Sequence, residues 1–394
     1  MDQTMKVFLI AGEPSGDKLG AALMAGLKTV VPHVEFHGIG GPLMQAEGLD
    51  SLFPMEELSV MGLIEVLPRL RSLFKRRDEA AQAVLDLNPD ALITIDSPDF
   101  CLRVAAKVRE DRALPVIHYV APSVWVWRAG RAAKMARHVD HVLALLPFEP
   151  PYMRAAGMTC DFVGHPVVAE PQPTPAQMEA LRQELGIADG MRILAVLPGS
   201  RRGEVSRLAA PFGATLGLLN HNDLHVIVPT VAHVHDQVVE EVENWPFRAT
   251  ILGPHGHAPT DAQARKRALF HMADAALAAS GTVGLELAMA GCPSVIAYRM
   301  SPISSFIVKR MVKTKYVNLV NVLLQRAAVP EVLLENCTPQ NIAAALRPIL
   351  DDPAVAAAQR SDLMQAMALL GTAEDEPGIR AARSVVAAVE RLAP

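Results

Sequence analysis

Short apolar runs alternate with amphipathic helical stretches along most of this 394-residue chain. Strands that alternate with helices are typical of right-handed βαβ units and predict parallel sheets. The first six predicted strands are Lys6–Ala11, Val34–Gly38, Ala91–Asp96, Val116–Val120, His141–Leu146 and Phe162–Gly164. Five more predicted strands are Arg192–Leu197, His225–Pro229, Thr250–Leu252, Ala275–Ala279 and Ser294–Tyr298. From Thr338 onward the chain is rich in alanine, which predicts helices only.

A cluster of prolines divides this pattern in two. Between the two groups of strands lie Pro166, Pro171, Pro173 and Pro175. Their fixed φ angles would stiffen a linker, and the chain is too long for one ordinary core. We therefore expect an α/β fold with two doubly wound, Rossmann-like domains that face each other across a cleft. The domains are predicted at 1–168 and 169–354, with helices from about 355 to 394 packing back on the first.

Charge and cysteine usage exclude several classes of protein. The formal net charge is −5, so no global basic field indicates nucleic-acid binding. The four cysteines are Cys101, Cys160, Cys292 and Cys337. Their wide spacing favours reduced, buried thiols over a disulfide framework or a zinc site. Neither a signal-peptide pattern nor a bilayer-spanning apolar run is present, so we expect a cytoplasmic protein.

Histidines give no indication of a metal centre. The two close pairs are His233 with His235 and His255 with His257. Neither pair stands in a recognisable metal-ligand cluster with carboxylates, and solvated loop histidines are the favoured interpretation. The sequence therefore predicts neither a metal ion nor a cofactor.

Polar residues follow two strands of the first domain, at the sheet edge where doubly wound folds bind ligands. Gly12-Glu13-Pro14-Ser15-Gly16-Asp17 comes after the first strand, and its glycines allow a ligand to approach the backbone. Ser15 and Asp17 are equally well explained as helix caps, whereas Glu13 has no evident structural role. Asp96 ends another strand and can take a proton from a substrate hydroxyl. Asp99 is expected to cap the helix that follows.

Two turns of the second domain predict a nucleotide diphosphate site. Pro198-Gly199-Ser200-Arg201 presents N–H groups at a helix N-terminus, and the Arg201 guanidinium fits phosphate oxygens. A merely solvated basic turn is a weaker explanation, because two arginines and two glycines converge there. Ser280-Gly281-Thr282 precedes a helix that carries Glu286 about one turn in. A carboxylate at that place can accept both hydroxyls of a ribose.

Longer stretches of the chain resemble the lipid-A-disaccharide synthases, glycosyltransferase family 19 of the GT-B class. They cover the chain nearly end to end and stand in the family's order: AGEPSGD (Ala11–Asp17), MEELSVMG (Met55–Gly62), IDSPDF (Ile95–Phe100), HYVAPSVWVWR (His118–Arg128), LPFE (Leu146–Glu149), FVGHP (Phe162–Pro166), LPGSR (Leu197–Arg201), ASGTVGLE (Ala279–Glu286) and VKTKYVNLVN (Val312–Asn321). The family favours GETSGD, DAPDF and a proline where this chain has Val320. These differences concern loop geometry.

This resemblance implies an inverting transfer. UDP-2,3-diacylglucosamine would donate its sugar to 2,3-diacylglucosamine 1-phosphate (lipid X), giving a β-1,6-linked disaccharide 1-phosphate and UDP. Asp96 or Glu13 would be the base, and no metal would be needed at the diphosphate. The residues expected at the donor are Gly199, Ser200, Arg201, Ser280, Gly281, Thr282, Glu286 and Asn321. Those expected on the acceptor or membrane side are Gly16, Arg69, Leu70, Leu73, Phe74 and Arg128.

Acylated substrates also imply a membrane surface. Val60–Arg77 combines dense apolar side chains with basic ones, which suits peripheral binding to the cytoplasmic face of the inner membrane. A core helix with a solvated basic end explains the segment equally well. Phe306–Lys315 repeats the pattern. A further basic stripe, which could meet the acceptor phosphate or be a solvated face, contains Arg128, Arg131, Lys134 and Arg137.

Two other functional classes share parts of this pattern. A UDP-sugar 2-epimerase has the same two-domain cleft and diphosphate site but needs no lipid surface. A non-catalytic nucleotide-sugar sensor would have no use for Asp96 and Glu13. The sequence leaves the acyl-chain length open and is compatible with a homo-oligomer.

Overall fold

The computed structural model describes residues 4–58, 63–122, 124, 130–219, 221, 223–254, 256, 258–300, 315–371 and 375–392. For residues 63–70 and 259 it describes the backbone alone. Within them the predicted α/β fold, with two parallel sheets, is confirmed. All eleven predicted strands are present, although Phe162–Gly164 is displaced to Thr159–Phe162. Two short edge strands, Asp50–Ser51 and Glu331–Leu333, were not predicted because they are too short to show a periodicity.

The first sheet has the strand order β3-β2-β1-β4-β5-β6-β7, and every pairing is parallel. Its strands are β1 (Met5–Ala11), β2 (Val34–Ile39), β3 (Asp50–Ser51), β4 (Ala91–Ile95), β5 (Val116–Tyr119), β6 (His141–Ala144) and β7 (Thr159–Phe162). The residues of β4, β5 and β6 are all buried, because helices cover both faces of the sheet.

The helices of this first unit divide between the two faces. They are α1 (Pro14–Val30), α2 (Pro42–Ala46), α3 (Leu63–Leu87), α4 (Pro98–Asp111), α5 (Gly130–Met135), α6 (Pro150–Ala155) and, near the C-terminus, α15 (Pro377–Leu392). Leu23 of α1 and Val385 of α15 share one core cluster. Val104 of α4 and Met135 of α5 belong to the cluster on the opposite face. The sheet is therefore doubly wound.

The second sheet has the order β10-β9-β8-β11-β12-β13 and is also parallel. Its strands are β8 (Arg192–Leu197), β9 (Leu224–Pro229), β10 (Ala249–Leu252), β11 (Ala275–Ala279), β12 (Ser294–Tyr298) and β13 (Glu331–Leu333). Its helices are α7 (Pro175–Glu184), α8 (Arg202–Leu219), α9 (His235–Glu243), α10 (Pro259–Met272), α11 (Val283–Met289), α12 (Leu319–Leu324), α13 (Pro339–Asp351) and α14 (Pro353–Leu369). Helices α8, α9 and α13 cover one face.

The chain returns to the first unit later than the sequence predicts. One compact unit contains Met1–Ala169 with Leu370–Pro394, and the other contains Glu170–Leu369. Helix α14, which begins before the predicted return near 355, stays in the second unit and packs on α11, α12 and α13. Of these two helices, α15 is the one that packs along α1. Apolar periodicity marks both helices as amphipathic but does not say which sheet each one covers.

Side-chain hydrogen bonds attach α15 to the first sheet. Ser384 Oγ donates to Asp161 Oδ2 at 2.7 Å and lies 2.8 Å from His141 Nε2. Burial lowers the pKa of His141 to about 4, so its imidazole is neutral at pH 7. The neutral ring joins α15 to β6 and β7.

The cysteines are buried thiols, as the sequence predicts. All four cysteines are buried and free. Within the described residues, no helix combines the length and the apolar character required to cross a bilayer.

Candidate functional site

A cavity of about 340 Å³ opens at the carboxyl ends of β8, β9 and β11 in the second unit. Every predicted donor residue except Asn321 lines it: Gly199, Ser200, Arg201, Ser280, Gly281, Thr282 and Glu286. The other lining residues are Leu197, Glu204, Pro229, Thr230, Val231, Lys266, Ala279 and Val283. Because carboxyl ends of parallel strands share one sheet edge, residues far apart in sequence come together here.

The turn after β8 is built around Glu204 of α8. Its Oε2 accepts hydrogen bonds from the backbone N–H groups of Ser200, at 3.1 Å, and Arg201, at 3.3 Å. Its Oε1 accepts one from Arg201 Nη1 at 3.2 Å. The sequence analysis expected these N–H groups to meet phosphate, but in the structure a carboxylate of the protein holds them.

Gly199 is required by this arrangement. Its φ of +129° belongs to the region that favours glycine, and an added Cβ would lie 2.4 Å from the Cβ of Glu204. The glycine therefore allows Glu204 to close against the turn.

The turn after β11 is more open. Thr282 occupies the N-cap position of α11 without a side-chain capping bond, and the N–H groups of Gly284 and Leu285 donate to the carbonyls of Gly281 and Thr282. Among the residues that the structure describes, apart from Gly281 and its two chain neighbours, no atom lies within 4 Å of where a Cβ on Gly281 would stand. Room for an anion therefore exists beside Gly281, at the positive end of the α11 dipole.

Glu286 is paired with a residue that sequence reasoning missed. Lys266 Nζ of α10 lies 2.6 Å from Glu286 Oε2, and both side chains remain about one-quarter exposed, at 23% and 24%. Lys266 stands in the basic run Arg265-Lys266-Arg267, which by itself reads as a solvated face. Only the packing of α10 beside α11 brings it to the cavity. The pair fixes the orientation of the carboxylate while leaving it accessible.

A second cavity of about 340 Å³ adjoins the first and shares Pro229, Thr230, Val231 and Lys266 with it. Its remaining walls are small or apolar except for one glutamine: Ala232, Leu252, Gly253, Pro254, Ala262 and Gln263. Together the two cavities form one elongated depression in this unit.

Asn321, which was predicted near the donor, does not line the described cavity, and its side chain is hydrogen-bonded within the second unit. The residue is 1% exposed. Its Nδ2 donates to Val329 O at 2.7 Å and to Glu331 Oε1 at 2.8 Å, while its Oδ1 accepts from Ala328 N and Val329 N, both at 2.8 Å. An asparagine amide has two N–H donors and one carbonyl oxygen with two lone pairs, so all four positions are used. The side chain holds the loop before β13.

In the first unit, Glu13 and Asp96 follow neighbouring strands. Ala11 of β1 pairs with Ile95 of β4, and Gly12 lies so near Ser97 that an added Cβ would be 2.7 Å from its Oγ. The order β2-β1-β4-β5 reverses direction at this point, which is where ligands bind in open α/β sheets. The two predicted catalytic carboxylates therefore belong to adjacent loops.

Asp96 sits on a strained backbone. Asp96 and Ser97 have φ values of +52° and +41°, a conformation that costs free energy in residues other than glycine. Asp96 Oδ1 accepts a hydrogen bond from Ser97 N at 2.9 Å, and the residue is partly exposed. Such strain is concentrated at functional sites, and here it presents the carboxylate at the end of β4.

Two expectations for the first glycine-rich turn are corrected. Asp17 caps α2 instead of α1: its carboxylate accepts from Gly41 N, Leu43 N and Met44 N at 2.9–3.0 Å. Gly16, predicted on the acceptor side, is buried where an added Cβ would meet Ala11 and Ile95. Its small size serves the packing of α1 on the sheet.

The family of the chain follows from comparison with known proteins. A family model described as lipid-A-disaccharide synthetase matches residues 7–379. The lipid-A-disaccharide synthase of Ruegeria pomeroyi is 56% identical over 97% of this chain and 95% of its own length. That of Rhodospirillum centenum is 50% identical over 96% and 94%. The chain belongs to the lipid-A-disaccharide synthase family.

Solved structures with low sequence identity share the fold of this lipid-A-disaccharide synthase family member. A putative UDP-N-acetylglucosamine 2-epimerase from Listeria monocytogenes gives a TM-score of 0.65 at 12% identity, covering 97% of this chain and 95% of that one. MurG from Acinetobacter baumannii gives 0.57 at 14% identity, covering 99% and 100%. These likenesses confirm the GT-B architecture, whereas membership of the synthase family distinguishes the chain from the epimerases.

Some of the residues predicted on the acceptor or membrane side lie among the described residues and others do not. Arg128, the side chains of Arg69 and Leu70, and all of Phe306–Lys315 except Lys315 lie outside the described residues. Leu73 packs partly buried against the core, while Phe74 is 41% exposed, with Arg77 5.0 Å from its ring centroid.

Arg76 is not a free basic residue of this segment. It donates to both oxygens of Glu57 and to Glu79, at 2.7 Å each, and its hydrogen bonds lower the pKa of the Glu57 carboxyl. Arg76, one of the cations predicted to face the membrane, therefore holds the Met55–Glu57 turn against α3.

One histidine of the two predicted pairs contacts the donor cavity's turn. His233 Nε2 lies 2.6 Å from Ser200 O, so this histidine contacts the Arg201 turn instead of being simply solvated. His255 and His257 lie outside the described residues. Across the part of the chain that the structure describes, no group of three or more metal-ligating side chains is found.

Proposed function

We infer that this protein transfers a diacylglucosamine unit from UDP to lipid X, forming the β-1,6-linked lipid A disaccharide 1-phosphate. The observation that carries this inference is its family membership over nearly the whole length, at 56% identity to a lipid-A-disaccharide synthase. The cavity of the second unit agrees with it, because a cation, helix N–H groups and an oriented carboxylate line one depression.

The donor is proposed to bind in the second unit. Glu286, held by Lys266, accepts the ribose hydroxyls, and Arg201 with the α11 N-terminus receives the diphosphate. The adjoining cavity beside Thr230 and Pro254 provides mostly small or apolar walls for a flat base, together with polar groups on Thr230 and Gln263. If this is right, Arg201→Ala and Glu286→Ala each weaken UDP binding about ten- to a hundredfold, the usual loss for a charged hydrogen bond. If both variants bind UDP as tightly as the parent, the donor binds elsewhere.

Inversion at the donor carbon requires one base and one stabilised leaving group. Asp96 is proposed as the base: it takes the proton of the attacking acceptor hydroxyl as the new glycosidic bond forms and the bond to UDP breaks. Glu13 on the adjacent loop is the other candidate. Arg201 and the α11 dipole stabilise the departing diphosphate, so activity is expected to persist in a strong chelator. A metal-dependent rate would contradict this.

Membrane association is proposed through α3, on the cytoplasmic face of the inner membrane. Phe74, Arg71 and Lys75 are exposed on this helix, whereas Arg76 is occupied by Glu57 and Glu79. Each basic residue near an anionic bilayer contributes about 1 kcal/mol, a contribution that salt screens.

Vesicle flotation tests this membrane proposal. Phe74→Ser should release the apolar part of binding, and Arg71→Glu with Lys75→Glu the salt-sensitive part. Arg360→Glu, an exposed position in the second unit, is the control. If the α3 variants float with vesicles as the parent does and their circular dichroism is normal, α3 does not bind the membrane and is an ordinary core helix.

One experiment separates the functional classes. The protein is incubated with the UDP-diacylglucosamine donor, with and without lipid X, and products are followed by mass spectrometry. A synthase forms the disaccharide only when both are present. Epimerised donor without acceptor would indicate an epimerase, and binding without any product would indicate a sensor.

A further inference from the structure

The first unit contains a cavity of about 460 Å³ that the reaction chemistry described above does not use. It lies at the carboxyl ends of β4 and β5, between the start of α4 and helix α5. Its lining residues are Pro98, Asp99, Leu102, Pro122, Gly130, Arg131, Lys134 and Met135. A cavity of this size falls within the range of small-ligand sites.

Two cations and one carboxylate line the cavity. Arg131 and Lys134 are three residues apart on α5, so they project from the same side of the helix. Neither forms an ion pair with a carboxylate of the described residues, including Asp99. Met135 is 1% exposed and Ala132 is 4% exposed, so α5 is anchored in the core beside these two cations. The helix therefore holds two unneutralised cations at the cavity wall.

The remaining walls are apolar, from Leu102, Pro122 and Met135. A guanidinium and an ammonium together match a phosphate monoester, since both donate charged hydrogen bonds to its oxygens. The Asp99 carboxylate would repel a bare anion but accepts hydrogen bonds from sugar hydroxyls. This combination fits a sugar phosphate with an apolar substituent better than it fits a free anion.

The cavity also lies beside the proposed base. Pro98, one of its lining residues, is two residues from Asp96, so their Cα atoms are at most about 7.6 Å apart. A sugar whose phosphate rests on Arg131 and Lys134 could therefore place a hydroxyl near Asp96.

We propose that this cavity binds the phosphate ester of the acceptor sugar, with Arg131 and Lys134 on the phosphate and Asp99 on a ring hydroxyl. The assignment rests on the proposed function, because that function supplies a phosphorylated sugar as the acceptor. It divides the basic stripe seen in the sequence: Arg131 and Lys134 bind substrate, whereas Arg137, exposed on the same stripe, does not line the cavity.

The kinetic test compares Arg131→Gln and Lys134→Gln with Arg137→Gln as the matched control. Short-chain diacylglucosamine acceptors are used with and without the 1-phosphate. The first two variants should raise the KM for the phosphorylated acceptor about ten- to a hundredfold. Their KM for the donor and for the unphosphorylated acceptor should not change, and the control should behave as the parent. A KM that is unaltered, or raised equally for both acceptors, overturns the proposal.

A binding test keeps this proposal separate from the proposed function. Glucosamine 1-phosphate and inorganic phosphate are titrated into the full-length protein by calorimetry, without donor. The parent should bind the sugar phosphate more tightly than phosphate, Arg131→Gln should lose both, and Asp99→Asn should lose only the preference for the sugar. If the protein shows this binding pattern but has no transferase activity, the site is supported and the proposed function is refuted. If the protein has transferase activity but the Arg131 and Lys134 variants behave like the parent, the proposed function stands and this site is refuted.

Discussion

Replacing Glu204 by glutamine should tighten UDP binding, the opposite of what most substitutions in a ligand site do. The Glu204 carboxylate occupies the Ser200 and Arg201 N–H groups and also holds the Arg201 guanidinium. It is an anion placed where the donor's diphosphate is proposed to bind. A glutamine of the same shape keeps a carbonyl oxygen for the two N–H groups but loses the charge that attracts Arg201.

The size of the gain follows from exposure. The Arg201 side chain is 66% exposed and lies 3.2 Å from Glu204 Oε1, so this is a solvent-screened ion pair. Such pairs are worth at most about 1 kcal/mol. Releasing Arg201 from Glu204 should therefore strengthen UDP binding about two- to fivefold.

Isothermal titration with UDP measures this, using the parent, Glu204→Gln, Arg201→Gln and the double variant. Most of the gain should be lost in the double variant, because the released Arg201 guanidinium supplies it. The reasoning is refuted if Glu204→Gln binds UDP no better than the parent while unfolding at the same temperature. A gain of the same size without Arg201 would also refute it.

Three further predictions concern the base, the buried amide and the buried histidines. Asp96→Asn should abolish transfer while UDP affinity in calorimetry survives; near-normal turnover would leave Glu13 as the base. Asn321→Ala should lower the free energy of unfolding by about 1–3 kcal/mol in urea titrations, because buried partners lose their hydrogen bonds, with UDP binding retained by the folded protein. If Asn321→Ala instead has the parent's stability but no longer binds UDP, Asn321 belongs to the donor site. Burial lowers the pKa of His118 and of His141 to about 4, so the folded state keeps both neutral while the unfolded chain becomes protonated below about pH 6.5. Their contribution to stability is complete above that pH and is lost as the pH falls towards 4, by about 1.4 kcal/mol per pH unit for each histidine; a His141→Gln variant with the parent's pH slope would contradict this.

Much of the donor cavity could be predicted because its residues follow strands directly. In a parallel sheet, the residue after a buried apolar run lies at the ligand-binding edge, so Arg201 and Gly281 are found from strand patterns alone. Lys266 could not be found in this way. It lies within α10, and its partner Glu286 is twenty residues away on another helix.

The sequence by itself determined the two-sheet α/β fold, the family and the strand-end residues, because these depend on local periodicity and contiguous motifs. Tertiary structure alone decided which hydrogen-bond partner each polar group has. Glu204 holds the N–H groups expected for phosphate, and the Asn321 amide is saturated by the loop before β13. It also decided that α14 stays with the second sheet and α15 with the first. Hydrogen-bond partners and packing faces are properties of spatial neighbours, and neighbours distant in sequence leave no periodic signal in the chain.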